Sequence, residues 1–130
     1  MLPLCKDQGI GVIPWSPLAR GFLAGGRSNP KEGNTERART DEFSERLYYR
    51  ASDHAVVDTL SGLARERGVS NMQLALAWVL KNPTITSPII GASKAHHLDD
   101  ALAGVEIKLT DDEIKALEAP YESKPVLDHA

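Results

Sequence analysis

An α/β fold built on parallel strands is what this sequence predicts, and three observations predict it. Two short runs of mostly branched, apolar residues, Ile10–Trp15 and Ile85–Ile90, read as buried strands. Helical patterns lie between and after them, and that alternation favours a parallel sheet. Each run also ends in a similar turn, Ser16-Pro17-Leu18-Ala19-Arg20-Gly21 after the first and Gly91-Ala92-Ser93-Lys94 after the second. Glycine, hydroxyl and cation recur in both. These residue types hold an anion where a strand feeds a helix, so the two corners are candidates to converge on one anion at the carboxyl edge of the sheet.

The elements follow in order. Residues 1–8 read as the tail of a helix with Gly9 as its cap, an opening that implies further chain upstream. In the first strand Pro14 lacks an amide hydrogen and belongs at the strand's end or at a bulge. Phe22 and Leu23 are expected to pack back on the sheet through one short helical turn. From Gly25 the chain changes character: turn residues, then a stretch dense in both charges, read as a surface loop with a short helix at Glu42–Leu47. A loop this long is also a candidate flap over a ligand mouth, with Arg37 or Arg39 able to meet a phosphate.

Ser52-Asp53 opens a helix whose stripe is Val56, Val57, Leu60, Leu63 and Ala64, and Gly68 stops it. Ser70 caps a second helix, 71–81, which is apolar nearly all round and needs cover on most sides. Asn82-Pro83 ends it. After the second strand a helix runs from Ser93 or Lys94 to about Ala103, and 105–109 is an extended connector. Thr110 and Glu113 form a capping box for a last helix, which ends before Pro120. The chain thus divides into 1–24 (helix end, strand and loop), 25–51 (flap loop), 52–84 (helices), 85–104 (strand, loop and helix) and 105–130 (connector, closing helix and surface tail). Two parallel strands leave both sheet edges open, so these elements describe part of a core, one that needs further strands or self-association to cover it.

Composition narrows the classes. The chain has 130 residues, 42% hydrophobic and 25% charged, the profile of one globular domain. A net charge of −3 spread in mixed sign argues against a nucleic-acid surface, and no apolar run is long enough to span a membrane. The N-terminus lacks the basic start and apolar core of a signal peptide, so a cytoplasmic location is expected. Cys5 is the only cysteine, which excludes an internal disulfide and a thiolate zinc cluster. His96 and His97 are adjacent and point apart on a helix, with no acid at ligand spacing, so no metal site is expected. Asp99-Asp100 and Asp111-Asp112-Glu113 stand in first helical turns, where the helix dipole accounts for them.

At these motifs the chain resembles the aldo-keto reductases over nearly its whole length. Gly9 to Gly21, with its Pro14-Trp15-Ser16-Pro17-Leu18 centre, is similar to the family's seventh strand and following loop. Gly68-Val69-Ser70 with Gln73 to Trp78 resembles the helix between strands seven and eight. Pro88-Ile89-Ile90-Gly91-Ala92-Ser93 with Leu98 resembles the eighth strand and its loop, and Leu109 to Leu117 the closing helix. The resemblance implies the C-terminal portion of a (β/α)8 TIM barrel, two parallel strands with flanking helices and the barrel incomplete.

The family moves a hydride between NADPH and an aldehyde or ketone. Its Asp, Tyr, Lys and His tetrad lies on earlier strands, so no catalytic residue is carried over to this chain. The cofactor residues are carried over. The resemblance sets Ser16, Pro17, Leu18, Ala19 and Arg20 along the pyrophosphate and Trp15 at the nicotinamide end. It sets Gly91, Ser93 and Lys94 around the adenosine 2′-phosphate, which favours NADP over NAD. His97 stands where the family often has Gln, Ala101 where it often has Asn, and Asp100 where many members place an acid near the adenine amino group. The alternative is a non-catalytic module that binds a nucleotide or oligomerises, or an inactive fragment. The small-molecule carbonyl substrate is left open by these motifs.

Overall fold

The computed structural model describes residues 1–25 and 42–124. Helix α1 spans Leu2–Asp7, a 3-10 turn Ala19–Gly21, α2 Glu42–Leu47, α3 Ala51–Glu66, α4 Asn71–Leu80, α5 Ala95–Val105 and α6 Asp111–Glu118. Most of the proposed flap, with Arg37 and Arg39, and the tail 125–130 lie outside the described residues.

Local chemistry accounts for the helix ends. Gly9 and Gly68 both adopt φ +65°, the left-handed conformation that a residue with a side chain resists. Each closes a Schellman turn: Ile10 N–H donates to the Cys5 carbonyl at 2.8 Å, and Val69 N–H to that of Ala64 at 3.0 Å. Both N-terminal boxes are reciprocal. The Glu113 amide donates to Thr110 Oγ1 at 3.2 Å and the Thr110 amide to Glu113 Oε2 at 2.6 Å. At α4 the Gln73 amide donates to Ser70 Oγ at 3.2 Å and the Ser70 amide to Gln73 Oε1 at 3.0 Å. Helix α3 starts one residue earlier than Ser52-Asp53 suggests, because Asp53 reaches back to accept from the Arg50 amide at 3.0 Å. Helix α5 runs two residues past Ala103, which shortens the connector.

The core lies among the helices. Helix α4 packs most extensively on α5, and α3 touches both α4 and α6. Leu60, Ala64, Leu74, Ala75 and Leu117 form one buried cluster, bordered by Leu18 and Leu23 from the loop. A second cluster joins Ala19, Phe22 and Val57. Phe22 and Leu23 pack on helices rather than on the sheet, Phe22 joining Val57 of α3 and Leu23 bordering the Leu60 cluster, but the short helical turn before them matches the sequence reading.

The two buried strands do not. Residues 12–15 and 85–89 pair in parallel, but through two isolated bridges, Val12 with Ile85 and Trp15 with Ile89. Three steps on one side face four on the other, so the second segment carries an extra residue. The ladder is interrupted where Pro14 and Pro88 have no amide hydrogen to donate. Its bonds are Val12 N–H to Thr84 O, Thr86 N–H to Val12 O and Ile89 N–H to Pro14 O, at 2.8–3.0 Å. Nor are the segments buried: Ile13, Trp15 and Ile89 are 60%, 62% and 57% exposed, since a two-segment ladder covers neither face.

Candidate functional site

The parallel register settles the polarity of the two corners. Because Trp15 lies beside Ile89, residue 16 onward and residue 90 onward leave the ladder at the same end. The first corner is a loop in left-handed backbone: φ is +51° at Ser16, +48° at Ala19 and +56° at Arg20, with Gly21 at +93°. For residues with a side chain this costs roughly 1–2 kcal/mol each, and such strain gathers where a loop is shaped for a ligand. Internal bonds brace it: Ala19 N–H to Ser16 O at 2.9 Å, Gly21 N–H to Leu18 O at 2.9 Å and Phe22 N–H to Ala19 O at 3.1 Å. Among the described residues the Ser16 hydroxyl and the Leu18 amide have no protein partner, so both can donate outward. Arg20 sits half-buried in the 3-10 turn.

The second corner is open. Gly91, Ala92, Ser93 and Lys94 are all exposed, and a Cβ placed on Gly91 would meet nothing within 4 Å. Neither the protein's packing nor its backbone requires glycine there, which leaves approach by a ligand as a use for it. Lys94 is the N-cap of α5 with no side-chain cap bond, and His97 N–H donates back to the Lys94 carbonyl at 3.1 Å. Among the described residues neither Ser93 nor the Lys94 ammonium has a hydrogen bond or ion pair. An uncapped helix start beside a free cation favours an anion.

The remaining predicted residues have structural neighbours. Trp15 stands exposed at the end of the ladder. His97 is half-buried, its ring edge-on to that of His96 at 4.5 Å. Asp100 Oδ1 accepts from Gln73 Nε2 at 3.1 Å, which ties α5 to the box that starts α4. Ala101 is buried, and three residues on at Gly104 an added Cβ would come 3.0 Å from the Gln73 carbonyl oxygen.

An apolar cavity lies elsewhere. It measures about 710 Å³, and its lining includes Pro17, Leu23, Leu60, Ala75, Trp78 and Tyr121. Of the predicted residues only Pro17 borders it, so this apolar space adjoins the loop without containing the cationic corner. Several contacts carry no sequence signal at all. Trp78 Nε1 donates to Glu118 Oε1 at 3.0 Å beside a Lys81–Glu118 pair, and Arg67 Nη1 meets Glu113 Oε2 at 3.2 Å. Lys124 Nζ meets Asp53 Oδ2 at 2.6 Å. Each joins residues more than 35 positions apart, where no periodicity operates.

Comparisons with known proteins identify the family. The model of the Aldo/keto reductase family matches residues 1–122, and the chain belongs to that family. A Schizosaccharomyces pombe protein provisionally named an aryl-alcohol dehydrogenase is 43% identical over 126 residues, covering 97% of this chain and 35% of its own length. Versiconal hemiacetal acetate reductase of Aspergillus parasiticus is 40% identical over 136 residues, covering 97% and 36%. A thermostable aldo-keto reductase solved with the inhibitor epalrestat superposes with a TM-score of 0.60 at 24% identity, over 92% of this chain and 33% of that one, a likeness of α/β fold. The chain spans about a third of the length of the curated relatives it matches.

Proposed function

We propose that this chain is the cofactor-gripping C-terminal part of an NADP-dependent aldo-keto reductase that reduces aldehydes or ketones to alcohols. The observation that carries the reading is the parallel pairing of Trp15 with Ile89, since it sends both corners out of one edge. The residues there fit a phosphorylated dinucleotide: outward donors at Ser16 and Leu18, a free ammonium at Lys94 and an uncapped helix start at α5. In this reading Ser16 to Arg20 hold the diphosphate and Trp15 flanks the nicotinamide. Gly91, Ser93 and Lys94 hold the 2′-phosphate, and His97 and Asp100 line the adenosine side. NADPH would supply the hydride; this chain's residues bind and orient it. The proton donor and its partners belong to the remaining two-thirds of a family member, which would complete the barrel, so the chain by itself should not turn over carbonyl substrates. A cytoplasmic setting is part of the proposal.

Fluorescence titration with NADPH and NADH tests it. The chain should bind NADPH more tightly, and Lys94→Ala should remove about a tenfold preference, the size of one charge-assisted contact. Equal affinity for the two nucleotides would sink the NADP assignment.

A second reading, a non-catalytic nucleotide-binding module that self-associates, is favoured by one observation. Leu98, Leu102 and Val105 form an exposed apolar stripe on α5, in addition to the exposed ladder. Sedimentation mass separates the two: a discrete dimer without added protein supports the module, and a monomer supports the barrel part.

A further inference from the structure

We infer that Phe22 is a positioning residue for the 16–21 loop: its ring, clamped by Tyr48, Tyr49 and His54, imposes the left-handed backbone that aims Ser16 and Leu18 at a nucleotide diphosphate. The ligand half of this statement rests on the function proposed above; the structural half does not.

The loop's conformation is not one its residues choose. Serine, alanine and arginine all resist positive φ, and three such residues within five positions persist only where surrounding contacts over-determine them. The loop meets two clusters: Leu18 borders that of Leu60, and Ala19 belongs to that of Phe22. Ala19, the middle of the loop, is buried with Phe22 and Val57. Phe22 is 2% exposed, the deepest ring in the cluster. Tyr49 meets it edge-on at 4.6 Å and 60°, His54 at 5.3 Å and 81°, and Tyr48 lies stacked at 6.2 Å and 16°. Edge-to-face contacts of this kind orient rings as well as bury them.

The clamp is itself anchored. Ser44 is buried, and its Oγ lies 3.5 Å from the Tyr49 hydroxyl. Lys124 donates to the Leu47 carbonyl at 2.8 Å and to Asp53 Oδ2 at 2.6 Å, and lies 5.5 Å from the centre of the Tyr48 ring. The corner between α2 and α3 is therefore fastened from behind while its rings grip Phe22 in front. Phe22 touches no ligand in this scheme and acts through the loop.

The test uses two probes and one exchange measurement on the full chain. ADP-ribose carries a diphosphate and no 2′-phosphate; 2′-AMP carries the 2′-phosphate alone. Phe22→Leu should raise the dissociation constant for ADP-ribose at least tenfold and leave that for 2′-AMP within twofold, while Lys94→Ala does the reverse. Hydrogen-exchange protection at the Ala19, Gly21, Phe22 and Leu23 amides should fall at least tenfold, with α4 unchanged. Should Phe22→Leu fail to fold, Tyr49→Leu removes the nearest ring and must give the same selective loss. Equal weakening of both probes, unchanged ADP-ribose binding, or unchanged exchange in the loop overturns the inference. If the wild-type chain binds neither probe, the nucleotide site is wrong, and loop exchange alone decides whether Phe22 shapes the loop.

Discussion

The helix α4 and the bridged segments 12–15 and 85–89 all carry large apolar residues in sequence and end in opposite environments. Leu74 is 0% exposed and Ala75, Leu76 and Ala77 are buried with it, whereas Ile13 and Ile89 stay more than half exposed. What differs is the supply of neighbours. Helix α4 is flanked by α3 and α5, both close in sequence and each presenting an apolar face. The two extended segments have only each other along one edge, broken by two prolines. Hydrophobicity states what should be covered; cover has to come from somewhere.

Substitutions sharpen that contrast. Leu74→Ala should cost about 2–5 kcal/mol in urea unfolding, while Ile13→Ala should change stability by less than about 0.5 kcal/mol, as at an exposed site. Similar losses at both positions would mean that the ladder is covered in solution. Gly104→Val should cost roughly 1–3 kcal/mol through overpacking, because even a Cβ there would sit 3.2 Å from the Gln73 Cα. A neutral result would show that α5 can lift off α4.

The smallest effect concerns acid. Glu113 is held below its ordinary pKa of 4.5, first by the Thr110 amide, then by the Arg67 charge and the Thr110 and Arg67 side chains, against a partial desolvation penalty. Glu118 is lowered too, chiefly by Lys81 and then by Trp78. A carboxylate depressed in the folded state stabilises fully above its unfolded pKa, and that contribution fades as pH falls through the lower folded value. Glu113→Gln should therefore flatten the fall in stability below about pH 4.5, leaving a residual slope from Glu118. An unchanged acid limb would place the sensitive group elsewhere.

Much of the helical framework was legible because its signals are local. Thr110 with Glu113, the stripe of α3 and the stop at Gly68 each act within a few residues. The family was legible from the two corner motifs. Less visible were the extension of α5 from Ala103 to Val105, the burial of Ala101, and Phe22 as the hub of a ring cluster. The partners of Phe22 lie 26 to 32 positions away at Tyr48, Tyr49 and His54, past the span of any periodic pattern. The expectation of buried strands failed for a related reason: alternation and branching report preference for a pleated, covered surface, and cannot report whether a second layer is present.

Sequence alone determined the capped helix ends at Gly9, Gly68, Ser70 and Thr110, the apolar faces and the two hydroxyl-and-cation corners, since each depends on side chains within one or two turns of one another. Tertiary structure decided that both corners leave the ladder at one end, that Ser16 to Arg20 take a left-handed course, and that Lys94 stands free while Asp100 is tied to Gln73. These depend on distances between segments far apart in the chain, which only packing can bring together.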